Sequence, residues 1–259
     1  MTPAATVGRS LRTVVLLGLV LLWAACGGTR PAAESDPEAR YRAAIQDART
    51  AEPSEITMSL TPLVPHNESL VWRTVRDSTR QVLVATWGGS ETLPAATAGD
   101  TGTPDQDVWV TAVPQIRQFC QALNRRGDAL RLRLAQRLGL PPDADYDRFV
   151  ELWVRPRDLV RPCPDPEVTD RECELRPPTP EAHVQISDVH QEWFQKLKET
   201  SYGTDGYPFT GLGYTYDWDP TTDEVGPSEF VLRPGETATV NATYGTDEYC
   251  RAGSASGGR

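Results

Sequence analysis

The sequence predicts an α+β fold: a mixed or antiparallel sheet with a helical hairpin and a C-terminal β-hairpin. Three observations carry that prediction. Gln81 to Trp87 (QVLVATW) and Val108 to Val113 (VWVTAV) are short runs of β-formers. Between Ile116 and Leu138 the apolar residues switch to helical spacing, with Ile116, Phe119, Cys120 and Leu123 on one stripe and Leu130, Leu134 and Leu138 on the next. Near the end, Ser228 to Leu232, Arg233-Pro234-Gly235-Glu236 and Thr237 to Tyr244 read as strand, turn and strand.

The elements follow in order. Arg9 to Cys26 (RSLRTVVLLGLVLLWAAC) has a positively charged start and an apolar core too short for a stable membrane-crossing helix, which is the grammar of an export signal. Residues 1–25 are therefore read as a signal peptide. Cys26 to Pro37 is polar and rich in Gly, Ala and Pro, as a solvated tether would be. A single domain is expected over 38–250 and a disordered polar tail over 251–259. Asp36-Pro37-Glu38 marks a helix start leading into Tyr41, Ala44 and Ile45. Ile56, Met58 and Leu60 alternate with polar residues and predict a strand closed by Pro62 and Pro65.

Leu70 to Val75 and Gln81 to Trp87 flank Asp77-Ser78, a turn signal, and predict a hairpin. Gly99 to Asp107 is a polar loop; Asp100, Asp105 and Asp107 lack the spacing and terminal glutamate of a calcium loop, so no metal is expected there. Pro114 sits where the first helical residue belongs, and Asn124 to Gly127 separates the two arms of the helical hairpin. Phe149 to Val154 (FVELWV) is another strand. Val160 to Pro180 is rich in proline and acid and predicts a surface loop, and Ser187 or Asp188 caps a helix ending near Ser201.

Composition excludes some classes of function. The formal charge is −10, and removal of Arg9 and Arg12 with the signal takes it to −12, which argues against nucleic acid as a partner. No G-x-S-x-G, H-E-x-x-H, P-loop or C-x-x-C pattern is present. His183 and His190 lack ligand spacing and read as a polar surface pair. No cofactor is implied. Arg117, Arg125, Arg126, Arg131, Arg133 and Arg137 crowd the helical hairpin; they either pair with the domain's own carboxylates or meet an anionic partner.

Ala24-Ala25-Cys26, followed by Gly27-Gly28, resembles the lipobox of bacterial lipoproteins, although Trp23 stands where that pattern has an aliphatic residue. The resemblance implies lipidation of Cys26 and anchoring on the extracytoplasmic side of a membrane, in the cell envelope. Several acyl chains, each stabilised by roughly 0.8 kcal/mol per buried methylene, make such an anchor firm. Ordinary secretory cleavage after Gly27 is the rival, and either route removes Cys26 from the disulfide pool. Gly139 to Pro166 and Ser201 to Leu232, with the strings GLPP, LVRPCPDPE, SYG and GYTYDW, are similar to exported bacterial proteins of uncharacterised activity. That similarity implies a folded domain and transfers no functional residue.

Four cysteines remain, and an oxidising compartment favours their pairing. Cys163 with Cys173 closes a short proline-rich loop, worth roughly 2–3 kcal/mol of chain entropy, which leaves Cys120 for Cys250. The expected function is a membrane-anchored lipoprotein with a non-catalytic binding or structural role toward envelope polysaccharide or protein. The alternative is a carbohydrate-active hydrolase using carboxylates near 217–224, with Asp217 and Glu224 as candidates. Tyr214, Tyr216 and Trp218 alternate at strand period, so the sequence puts all three on one face, either in the core or as a sugar-stacking platform.

Overall fold

The computed structural model describes residues 36–89, 96–179 and 186–251. The signal peptide, Cys26, nearly all of the tether, His183 and residues 252–259 of the tail lie outside the described residues. Among the described residues no helix is long and apolar enough to cross a membrane.

Nine strands build an antiparallel sheet, and helices cover it. The strands are β1 (Trp72–Thr74), β2 (Arg80–Gly88), β3 (Thr101–Gly102), β4 (Val108–Ala112), β5 (Arg148–Val154), β6 (Leu159–Val160), β7 (Tyr214–Tyr216), β8 (Val225–Leu232) and β9 (Ala238–Gly245). Their spatial order is β3-β9-β5-β2-β4-β8-β6, with β1 paired to β2 and β7 to β8. The C-terminal strand-turn-strand forms as β8 and β9 about Gly235, whose positive φ of 88° suits glycine. Its arms reach opposite sides of the sheet: β8 pairs with β4, β6 and β7, and β9 with β5 and β3.

The helices are α1 (Pro37–Asp47), α2 (Gln115–Leu123), α3 (Gly127–Arg137), α4 (Asp188–Ser201) and the single turn α5 (Thr246–Tyr249). Asp36 caps α1 by accepting from the Glu38 amide, and Ser187 caps α4 by accepting from that of His190. Asn124, in the left-handed region, ends α2.

One sheet face carries Leu83, Ala85, Trp87, Phe149 and Trp153 against α1, α2, α3 and Tyr249. The other carries Val82, Val84, Val110, Phe230 and Leu232 against Leu63, Leu70, Leu159 and Val168. Cys120 bonds to Cys250, tying α2 to the end of α5, and Cys163 bonds to Cys173.

Three expectations are corrected. Residues 56–60 form no strand: Met58 is 64% exposed while Leu60 is buried, and the Leu60 and Leu63 amides donate to the Arg171 and Val168 carbonyls instead of to a ladder. Proline at 62 and 65 removes the donors that a strand would need. Pro114 is the N-cap of α2, not its first residue, and follows a cis peptide bond. The proline-rich loop is a surface loop only in part: its 161–165 stretch is buried, while Glu167, Thr169, Arg171 and Glu174 are exposed. Arg161, Cys163, Asp165, Val168 and Cys173 are buried; the Arg161 guanidinium donates to the Glu167 and Asp170 carbonyls through Nε and Nη2 and packs over Phe230, and the Cys163–Cys173 bond closes the loop.

Candidate functional site

The site begins with a cross-strand row. Glu151 of β5 stands opposite Ala85 of β2, Ala85 opposite Thr111 of β4, and Thr111 opposite Glu229 of β8. Residues that are paired directly across a ladder share a face, so two glutamates project from the same side of one sheet. The two meet different surroundings. Glu151 accepts from the Asn241 amide at 2.8 Å and faces Arg117 at 3.2 Å. Glu229 is 7% exposed, and among the described residues nothing donates to its carboxyl group or forms an ion pair with it.

Glu229 lines a cavity of about 490 Å³ between the sheet and the layer above it. The floor comes from Ala85, Trp87, Trp109, Thr111 and Phe149. The opposite wall comes from the end of α4, the 205–209 segment, Thr215 and Tyr216 of β7, and the turn from Leu138 to Tyr146. The 205–209 segment is pinned from several directions. Tyr41 donates to the Gly206 carbonyl, Tyr202 to that of Phe209, and the Tyr207 amide to that of Ser201. A Cβ at Gly206 would lie 2.1 Å from the Ser201 oxygen, so only glycine lets the chain turn back this tightly. Gln106, Asp205 and Tyr207 are exposed at the rim.

Burial pushes the Glu229 carboxyl up to about 8, because desolvation disfavours its charged form and no cation among the described residues stands beside it. It is therefore largely protonated at neutral pH. Burial likewise raises Tyr146, Tyr214 and Tyr216 above the ordinary phenol value. Among the described residues no Lys, Arg or His lines the cavity; its ionisable groups are Asp107, Asp205, Glu229 and tyrosines.

Of the predicted site residues, Tyr216 also lines the cavity, while the others lie elsewhere or serve the core. Asp217 accepts from Arg133 at 2.9 and 2.8 Å and from Arg137 at 3.0 Å, and it is 1% exposed, so its oxygens are not free to attack or protonate a sugar. Glu224 is exposed and groups with Asp47 and Glu55. Asp217 and Glu224 are joined through the backbone, by the Asp217 amide to the Glu224 carbonyl, and not across a cleft. Tyr214, Tyr216 and Trp218 are all buried and form no exposed stacking platform. Nor do they share one face: a bulge between Tyr214 and Tyr216 sends Tyr214 toward Cys163 and Cys173, while Tyr216 and Trp218 join the α1 side. Their polar atoms reach the Glu55 carbonyl, Asp47 and the Leu140 carbonyl.

Four of the clustered arginines pair internally: Arg117 with Glu151, Arg131 with Asp128, and Arg133 and Arg137 with Asp217. His190 is not a surface residue; it is 4% exposed, with Nε2 at 2.8 Å from the Cys163 carbonyl.

Fold and cavity define a class: a disulfide-stapled α+β domain with one buried, unpaired acid in an aromatic-walled pocket. Compared with protein-family models, with curated proteins and with solved structures, the chain matches none.

Proposed function

We propose that the chain is a membrane-anchored envelope lipoprotein whose domain binds a small, mostly apolar molecule without turning it over. The observation that carries this reading is the cavity of about 490 Å³ with the unpaired Glu229 carboxyl on its wall. Ligand pockets commonly occupy roughly 300–1,000 Å³, are largely apolar, and fix orientation with few polar groups. A glycosidase needs two facing carboxyls. Here Asp107 is engaged by the Trp193 indole at 2.7 Å and by Arg233 at 3.7 Å, and Asp205 sits on the rim, which supports binding over hydrolysis. The two disulfides support an oxidising compartment, and the lipobox-like Cys26 supports a membrane anchor.

Two measurements test the reading. The wild type is expected in membrane fractions and the Cys26→Ala chain in soluble ones; a wild type wholly in the soluble fraction removes the anchor. The Cys26→Ala chain is then titrated with 1-aminoanthracene, a dye that brightens in apolar surroundings. Saturable binding at one site is expected, and no brightening, or a non-saturating rise, removes the pocket as a ligand site.

A further inference from the structure

We infer that the ligand of this pocket is a small organic cation, an ammonium group on an apolar or aromatic body, with the Glu229 carboxylate as its counter-charge. The inference rests on the binding role proposed above and narrows it to a ligand class. Its first support is the sign of the lining: three acids and no basic side chain among the described residues. An anionic ligand would find no cation on the wall, whereas a cation is drawn inward by the rim Asp205 and by a chain of formal charge −10.

The second support is the aromatic wall. Trp87, Trp109, Tyr146, Phe149 and Phe209 present rings around the space next to Glu229. Trp109 meets Phe209 edge-on at 6.0 Å and Trp87 meets Tyr146 edge-on at 5.2 Å, so ring faces as well as edges are turned to their neighbours. An ammonium within about 6 Å of a ring centroid is attracted by the ring quadrupole, more strongly when desolvated. The third support is Glu229 itself, whose carboxyl no side chain among the described residues bonds or ion-pairs. Burial disfavours its charged form, and an ammonium in the cavity would supply the counter-charge that favours it.

Binding is coupled to proton release. At neutral pH the carboxyl carries its proton; when the ammonium enters, the O–H bond breaks, the proton leaves to solvent, and the carboxylate pairs with the cation. Besides Glu229, the titratable groups lining the cavity are Asp107 from the loop before β4, Asp205 and Tyr207 from the segment after α4, Tyr146, and Tyr216 from β7; Tyr214 feels the Glu229 charge from outside the lining. Burial keeps Tyr146, Tyr214 and Tyr216 neutral throughout the window in which Glu229 titrates. Affinity for a cation therefore rises about tenfold per pH unit up to about pH 8, then levels.

The test is calorimetric titration of the Cys26→Ala chain with 2-phenylethylammonium, 2-phenylethanol and phenylacetate. They share a ring and differ in the charge of the head. The cation is expected to bind at least about tenfold more tightly than the alcohol at about pH 8.5, where Glu229 is already largely ionised and little proton is released, and about 100-fold more weakly near pH 6, where binding releases close to one proton. In the Glu229→Gln chain, with folding checked by its melting transition, the preference for cation over alcohol is expected to vanish. If 1-aminoanthracene still binds but the alcohol or the anion equals the cation, or if the preference survives Glu229→Gln, the ligand class is wrong and the pocket stands. Failure of the dye and of all three probes removes the binding reading along with this one.

Discussion

Asp217 and Glu229 are carried by the same β7–β8 ribbon, both almost wholly buried, yet they are opposite kinds of residue. Asp217 is held in a knot: Arg133 grips it with two nitrogens, Arg137 adds a third, and Arg133 also reaches Asp219 at 3.2 Å. Phe119 lies under both guanidinium groups, at 4.8 and 5.1 Å from its ring centroid. Glu229 has a cavity where Asp217 has arginines. Burial thus does not separate architecture from site; the partner set does. A buried carboxylate whose lone pairs are saturated fixes α3 against β7, and one left alone keeps its capacity for something that is not part of the chain.

Loss of Asp217 is expected to have the largest effect. Asp217→Ala leaves Arg133, 4% exposed, without its main partner, and uncompensated buried charge costs about 3–5 kcal/mol, the retained Asp219 contact favouring the lower end. Urea unfolding is expected to show a lower midpoint with an unchanged slope. A loss below about 1 kcal/mol would mean that the knot behaves as a solvent-screened surface pair.

Much of this arrangement was legible in the sequence, and the illegible parts have physical reasons. β2, β4, β5 and the helical pair show in their periodicity because each buries a broad apolar face, and Leu130 and Leu134 end fully buried where their spacing puts them. Loop length suggested the pairing of Cys163 with Cys173. The arginines of α3 were visible as a cluster, but the carboxylate they close on lies far along the chain, and chain distance hides such pairs. Alternation at Ile56, Met58 and Leu60 was too short a signal, set between prolines that forbid a ladder. Glu229 was missed for a different reason. In Ser-Glu-Phe-Val-Leu it alternates with Phe230 and reads as the solvent side of a half-buried strand. That side is covered here by the 205–209 segment and the end of α4, and no local pattern says that a second layer will return over β8. The available signal was its position in a strand continuing into Phe230-Val231-Leu232, which are at most 1% exposed.

Loss of the Glu229 carboxyl is expected to have a smaller, pH-dependent effect of the opposite sign. The unfolded chain holds Glu229 near its ordinary value of 4.5, while the folded chain holds it at about 8. Between those values the native state binds more protons than the unfolded state, so Glu229 makes the stability of the wild type fall as pH rises through that window. Below about pH 4.5 both states are protonated and this contribution disappears. Glu229→Gln keeps the shape and removes the titration. It is expected to melt close to wild type near pH 5 and to be more stable by about 2–4 kcal/mol near pH 8.5, an order-of-magnitude figure from the shift. Melting curves of both chains across this range measure the difference directly. Substitution of Asp217 differs in kind, because it strips a partner from the buried Arg133. If Glu229→Gln instead destabilised the chain equally at both ends of the range, Glu229 would be a bonded structural residue like Asp217, and the distinction between the two carboxylates would collapse.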